Sequence, residues 1–131
     1  MPVFTVTGTV PSKSNCYKII TICGHGSLAK TTAMKNYEKS FFLQVPASLR
    51  SKNISSPIKM TVALYWESSR QDLDNSLKVV CDCLQKSGVI KNDNLIYEIH
   101  ATKHKDTMNP RIEIGIEEAM QEDEIDETKV F

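Results

Sequence analysis

The chain has 131 residues, of which 40% are hydrophobic and 24% are charged, and its formal net charge is zero. This size and composition are typical of one folded domain with a hydrophobic core. No apolar run approaches the roughly 20 residues that cross a bilayer, and no signal peptide is recognised at the start, so we expect a cytoplasmic protein without a membrane span.

The N-terminal segment predicts two strands. Residues 3–10 alternate apolar and polar side chains around Gly8, where a bulge is expected, and residues 17–23 are rich in β-branched side chains. Residues 11–15 predict a loop between these strands, and residues 24–27 predict a turn or a longer loop after them.

The next segment predicts a helix that starts at Thr31 or Thr32, either of which could cap it, and runs to about residue 45. Pro46 ends the helix or soon follows its end. One face is apolar and is expected to be buried: Ala33, Tyr37, Phe41 and Val45.

The centre of the chain predicts a strand followed by a helix. Residues 58–67 alternate cleanly between apolar and polar side chains, which is typical of a strand with one buried face. Residues 72–87 follow the helical period, and Gly88 stands at the expected C-terminal stop. The apolar side of this helix is expected to consist of Leu73, Leu77, Val80, Cys81 and Leu84.

The C-terminal part predicts two more strands, residues 95–101 and 111–116, joined by a loop that includes residues 103–106. Residues 117–131 hold seven acids and one base, a net charge of −6, and are expected to form a mobile tail. The order of elements predicts an α+β domain over residues 1–116, with a mixed sheet of about five strands and two main helices.

The segment that says most about function combines three carboxylates with a lysine. Asp72 is expected where the second helix starts, and Asp74 in its first turn. Lys78 lies four residues beyond Asp74 and shares its helix face, which Asp82 extends by another turn. The chain reverses after this helix, so Asp93 is able to return toward the same face, where the carboxylates would converge.

Clustered carboxylates repel one another unless cations bind between them. Their hard oxygen ligands suit Mg²⁺, with Mn²⁺ as a substitute. Such ions help to hydrolyse phosphodiesters by activating a water, and Lys78 would contact the scissile phosphate. Each residue also has a simpler explanation: Asp72 or Asp74 as a helix cap, Lys78 and Asp82 as an exposed ion pair, and Asp93 as a turn residue.

The pattern Asp72-x-Asp74-Asn75-x-x-Lys78-x-x-x-Asp82, followed by Asn92-Asp93, resembles the RusA family of Holliday junction resolvases. The loop at residues 11–15 also resembles the early substrate loop of that family, and the similarity runs from about residue 3 to residue 116. The resemblance implies a homodimer that nicks two strands of a four-way DNA junction symmetrically, in bacteria and often in prophages and phages. It also implies site roles: Asp72, Asp74 and Asp93 as Mg²⁺ ligands, and Lys78 as the catalytic lysine.

Two positions depart from the family pattern. Gln71 stands where an arginine often precedes the first aspartate, with Arg70 one position earlier, which leaves the detail of DNA contact open. Asn92 stands where another aspartate often precedes the third ligand, but Asp93 itself matches the pattern.

Fifteen of the sixteen basic residues lie within residues 1–116, which carry a net charge of +6 and suit a polyanion. We therefore expect a DNA-binding surface. Its predicted members are Lys13, Asn15, Lys18, Lys30, Lys35, Arg70, Lys103 and Lys105. For any single lysine, an exposed charge that only aids solubility is an equally good explanation.

Other classes of protein fit less well or stay open. Residues 24–31 nearly have the spacing of a phosphate-binding P-loop, but Ala29 replaces the glycine needed before Lys30. An EF-hand fails because Leu77 replaces its glycine, and a zinc site is weakly supported because no two cysteines form a C-x-x-C pair. A non-catalytic phage DNA-binding protein of the same fold stays open, as does a nuclease for branched DNA in general.

Overall fold

Six strands and two main helices are formed by the residues that the computed structural model describes, which are 3–11, 17–22, 24–68 and 73–119. In chain order the elements are β1 (Val3–Thr7), β2 (Tyr17–Ile22), β3 (His25–Lys30), α1 (Thr32–Gln44), the short helix α2 (Ala47–Arg50), β4 (Ile58–Trp66), α3 (Leu73–Lys86), a 3₁₀ turn (Asp93–Leu95), β5 (Ile96–Lys105) and β6 (Arg111–Glu118). The predicted α+β class, with a mixed sheet and two main helices, is confirmed.

Four of the strands form a mixed sheet in the order β1-β6-β4-β5. β4 and β5 are parallel, with α3 as the crossover between them, whereas β6 is antiparallel to both β4 and β1. The sheet has four strands rather than about five because β2 and β3 pair with each other as a separate antiparallel hairpin. Parallel β4 and β5 require the long crossover, and this crossover is the helix that carries the predicted site residues.

The segment predicted as a turn or longer loop at residues 24–27 is mostly strand, which corrects the prediction. The turn itself is at Gly24, whose φ of +81° lies in the left-handed region that glycine adopts readily, and β3 starts at His25. The backbone of β3 pairs with β2, from Ile22 opposite His25 to Tyr17 opposite Lys30. The segment with nearly P-loop spacing is therefore a hairpin strand and not a phosphate-binding loop.

One face of the sheet carries the hydrophobic core. Alternate residues of β4 from Ile58 to Trp66 are buried, as the clean sequence alternation predicts. Both helices cover this face, because Phe41 of α1 and Leu84 of α3 belong to the same buried cluster as β4. Each fully buried side chain of this size stabilises the fold by about 1.5–3 kcal/mol. β6 adds three buried side chains: Ile112, Ile114 and Ile116.

Helix α1 begins and ends for local reasons. The Oγ1 atom of Thr31 accepts a hydrogen bond from the backbone N–H of Met34 at 3.2 Å, so Thr31 is the N-cap. The helix ends at Gln44 because the residue before Pro46 is held in an extended conformation. The buried face passes through Met34, Tyr37 and Phe41, whereas Ala33, which was predicted to be buried, is exposed.

The buried face of helix α3 is displaced around the helix axis from the predicted apolar face. Its buried residues are Ser76, Val79, Val80, Cys83 and Leu84. Of the predicted apolar face, Leu73, Leu77 and Cys81 are only half-buried at its border. Ser76 is a small polar residue at an inward position, and hydrophobic periodicity alone does not identify such a position. None of the described helices is long and apolar enough to cross a membrane.

The last two strands are longer than predicted. β5 continues to Lys105 because its pairing with β4 extends to Trp66, so residues 103–105 belong to a strand rather than to a loop. β6 continues to Glu118, two residues into the predicted acidic tail, where Glu117 lies opposite Lys59 of β4. Ala119 follows, with its backbone N–H bonded to the carbonyl oxygen of Pro57 at 3.0 Å, and residues 120–131 lie outside the described residues.

Gly88 ends α3 in a position that no other residue fits easily. Its φ is +80°, and a Cβ added there would lie 2.7 Å from the carbonyl oxygen of Arg50. We expect Gly88→Ala to lower the free energy of unfolding, measured by urea denaturation, by about 2 kcal/mol or more, because left-handed strain and a backbone clash add. Gly24→Ala is the matched control: its φ is +81° but its surroundings are open, so strain alone should cost about 1 kcal/mol. Equal losses in the two variants would show that the contact with Arg50 is unimportant.

Candidate active site

The exposed face of α3 carries Asp74, Lys78 and Asp82 at intervals of four residues. Each of these residues lies about 6 Å further along the helix axis than the one before. Asp74 and Lys78 are exposed and Asp82 is half-buried, while Val80 and Leu84 on the opposite side are fully buried. The burial of the apolar side thus fixes which charges face outward.

Asp93 returns to the same helix through the 3₁₀ turn that precedes β5. Its backbone N–H donates a hydrogen bond to the Oε1 atom of Gln85 at 3.0 Å. The turn itself is capped by Asn92, whose Oδ1 atom accepts from the backbone N–H of Asn94 at 3.0 Å. Because Asn92 and Gln85 hold the turn, its geometry does not require the carboxylate of Asp93.

The charges around Asp93 affect one another. Burial raises the pKa of the Asp82 carboxyl, Lys78 lowers it, and Asp93 raises it again. Burial also raises the pKa of the Cys81 thiol to about 11, and Asp82 and Asp93 act in the same direction. The hydrogen bond to Gln85 places Asp93 against the part of α3 that carries Cys81 and Asp82, within electrostatic range of both. A carboxylate whose charge is disfavoured by a neighbouring acid, as that of Asp82 is, would be stabilised by a hard cation.

Asp72 lies outside the described residues. Among the residues that are described, no three His, Cys, Asp or Glu side chains lie close enough together to hold a metal ion. The convergence of Asp72, Asp74 and Asp93 on one ion therefore stays a prediction. The structure does place Asp93 against the face of α3 that carries Lys78 and Gln85.

The predicted DNA-binding residues are spread over several elements. Lys13, Asn15 and Arg70 lie outside the described residues, and the backbone of Lys18 is part of β2. Lys35 is exposed on α1, and Lys103 and Lys105 are exposed on β5. Lys30 differs from the others because its ammonium group bonds to the carboxylate of Glu38 at 2.9 Å, and its side chain is only 28% exposed.

Some residues around the site were not singled out from the sequence. Gln85, which holds Asp93, and Lys86 follow Asp82 by three and four residues, so helical spacing could have identified both. The same carboxylate oxygen of Glu38 forms ion pairs with Lys30 at 2.9 Å and with Lys86 at 3.2 Å. No local pattern connects Glu38 to α3, because this contact depends on how α1 packs.

An exposed row of acids and a lysine on a crossover helix, with a further acid returning just before the next strand, defines a class of carboxylate site suited to phosphodiester chemistry. Residues 24–117 match the family described as Endodeoxyribonuclease RusA. The chain therefore belongs to the RusA family of endodeoxyribonucleases, and the resemblance seen in the sequence is confirmed.

A curated relative extends the comparison. The chain is 34% identical over 79 residues to the crossover junction endodeoxyribonuclease RusA of Aquifex aeolicus (strain VF5). The similar segment covers 60% of this chain and 63% of the relative's length. The family match starts at Gly24 and includes Asp74, Lys78 and Asp93, whereas the loop at residues 11–15 lies before it.

Proposed function

We propose that this protein is a Mg²⁺-dependent, structure-selective endodeoxyribonuclease that resolves Holliday junctions by paired symmetric nicks, in DNA recombination and repair. The observation that carries the proposal is that Asp93 returns to α3, where its backbone N–H bonds Gln85 one turn beyond Cys81 and Asp82, in a chain of the RusA family. The similarity to the crossover junction endodeoxyribonuclease of Aquifex aeolicus supports the junction as substrate.

The side chains have separable tasks in this proposal. Asp72, Asp74 and Asp93 would hold Mg²⁺, with Mn²⁺ as a substitute, and the bound ion would supply an activated water and charge stabilisation at the phosphate. Lys78 donates hydrogen bonds to an oxygen of the scissile phosphate as negative charge develops there. The side chain of Gln85 accepts a hydrogen bond from the backbone N–H of Asp93. This bond restrains Asp93 and so reduces the motion that would misplace its carboxylate as a metal ligand.

The experiment that tests the function uses a supercoiled plasmid with an extruded cruciform, in the presence of Mg²⁺. Paired nicks across one junction convert the plasmid to the linear form, whereas a single nick gives the open circle. We expect linear product, and no product when EDTA replaces Mg²⁺. Binding without cleavage would favour the non-catalytic DNA-binding alternative. Equal rates on flaps, forks and four-way junctions would favour a nuclease for branched DNA in general.

We further propose that the working form is a homodimer, because two copies related by a two-fold axis present two identical sites to a symmetric junction. Sedimentation at micromolar concentration should give twice the mass of the chain. Mixed dimers of wild-type and Asp93→Asn protomers should yield mainly the open circle from the cruciform plasmid. A monomer that still makes paired cuts would contradict this proposal.

Lys103 and Lys105 are proposed as DNA contacts near the start of α3. They lie opposite Leu64 and Trp66 of β4, whose side chains point to the helix-covered face, so the lysines emerge on the same face. We expect the double change to glutamine to reduce the slope of log binding constant against log salt by about 1–2, since each phosphate contact contributes roughly 0.9. Lys59→Gln, on the opposite face of the sheet, is the control and should leave the slope unchanged.

The acidic segment that follows β6 is proposed to compete with DNA for the basic surface. Residues 120–131 hold five acids and one base, and a tethered polyanion acts at a high effective concentration. Truncation after Ala119 should therefore tighten junction binding, most clearly at low salt, where charges are least screened. The same affinity with and without the segment at low salt would leave solubility as its role.

A further inference from the structure

Glu38 links three elements through one carboxylate. It lies on α1, and its Oε2 atom accepts a hydrogen bond from Lys30 at the end of β3 at 2.9 Å and forms an ion pair with Lys86 at the end of α3 at 3.2 Å. The side chain of Glu38 is only 11% exposed, whereas Lys86 is 61% exposed. Because the carboxylate is well covered and shared by two cations, its ion pairs are expected to stabilise the fold more than an ordinary surface ion pair does.

The element that Glu38 binds through Lys30 is not part of the main sheet. β2 and β3 form a two-stranded hairpin, and an isolated two-stranded hairpin is only marginally stable in water. Its orientation relative to α3 therefore depends on contacts such as those of Lys30 with Glu38. The hairpin also carries Lys18, one of the predicted DNA-binding residues, on β2.

The linkage lies next to the candidate active site. Lys86, whose ammonium group pairs with Glu38 at 3.2 Å, follows Asp82 by about one helical turn on α3, and Lys30 and Glu38 also act electrostatically on the Asp82 carboxyl. Lys30 and Glu38 therefore lie within electrostatic range of the same acidic face of α3 that Lys78 and Asp93 share.

We propose that Glu38 is a positioning residue, which holds the β2–β3 hairpin against α3 through Lys30 and Lys86 so that DNA bound by the hairpin reaches the acidic face in a reactive position. The proposal rests on the function proposed above. Glu38 contacts neither the phosphate nor a metal in this arrangement. It acts by fixing the distance between a DNA-binding element and the helix that carries the reacting groups.

The charge change of Glu38→Gln separates positioning from simple electrostatics. Removing an acid from a basic surface should leave junction affinity unchanged or increase it. If the hairpin loses its fixed position, single-turnover cleavage at saturating protein should nevertheless fall by about 10-fold, because misalignment lowers the rate even when binding is complete. A rate that falls while affinity holds or rises is not expected of a merely stabilising ion pair.

A double variant tests whether Glu38 and Lys86 act as one unit. Glu38→Gln combined with Lys86→Gln should cleave no more slowly than Glu38→Gln alone, because Lys86 acts only through the shared carboxylate. Glu98→Gln is the matched control: it breaks an ion pair with Lys59 at 3.1 Å on the other face of the sheet and should leave the rate unchanged.

Hydrogen exchange gives a readout that does not depend on DNA. In Glu38→Gln, and in Lys86→Gln, the amides of β3 should exchange faster while those of β4 and β6 keep their wild-type rates. An unchanged cleavage rate in Glu38→Gln, or unchanged exchange in β3, would overturn the proposal. If the wild-type protein does not cut junctions, the proposed function fails, and the exchange data alone then decide whether Glu38 fixes the hairpin.

Discussion

Asp93→Asn is expected to abolish cleavage while junction binding is retained. Asparagine keeps the shape of the side chain and the backbone hydrogen bond to Gln85, but it removes the negative charge that a metal ion needs. We expect the single-turnover rate to fall by at least about 1,000-fold, because a lost ligand removes both water activation and charge stabilisation. Affinity should hold or rise, since repulsion of the phosphate decreases. Asp72→Asn and Asp74→Asn should behave in the same way.

Gel-shift titration in Ca²⁺ and single-turnover cleavage in Mg²⁺ measure the two quantities separately. Asp106→Asn is a suitable control, because that carboxylate pairs with Arg111 at 2.8 Å in the loop after β5 and has no assigned part in the chemistry. Wild-type cleavage by any one of the three site variants would remove that residue from the ligand set.

Lys78→Ala is expected to lower the rate far more than the affinity. Lys78 is one of fifteen bases in residues 1–116, so it contributes a small share of counterion release on binding. In the proposed function Lys78 bonds the phosphate as charge develops, and loss of one such donor costs about 100- to 1,000-fold in rate. The junction dissociation constant should change by less than about threefold, since the contact acts mainly in the transition state.

The same two assays on Lys52→Ala provide the comparison, because Lys52 is an exposed base in the segment between α2 and β4. Its loss should leave the rate unchanged. Equal losses of rate and affinity in Lys78→Ala would identify that lysine as an ordinary phosphate contact and not as a catalytic residue.

The parts of the site that the sequence predicted are those that depend on local periodicity. The four-residue spacing of Asp74, Lys78 and Asp82 places them on one helix face in any α-helix, and the buried alternation of β4 follows from a period of two. The chain reversal after the helix predicted that Asp93 would return toward it. The hydrogen bond from the backbone N–H of Asp93 to Gln85 shows where on the helix it returns.

The features that the sequence did not predict depend on tertiary partners. β5 continues through Lys103 and Lys105 because β4 is alongside to pair with them, although lysine-rich segments usually suggest a loop. β3 forms because β2 satisfies its backbone groups, which outweighs the turn signal of Gly26. The contact of Glu38 with Lys86 requires α1 and α3 to be packed together, which no local pattern encodes.

Pairing of β1 with β6 joins the two ends of the described chain, since Val3 lies opposite Gly115. During synthesis on the ribosome, β1 emerges well before β6, so it has no pairing partner in the sheet until β6 has been made. Contacts so distant in sequence form slowly, and the apolar face of β4 stays without its full cover in the meantime. A nascent chain therefore carries α3, with Asp74 and Lys78, on an incomplete sheet until β6 has been synthesised.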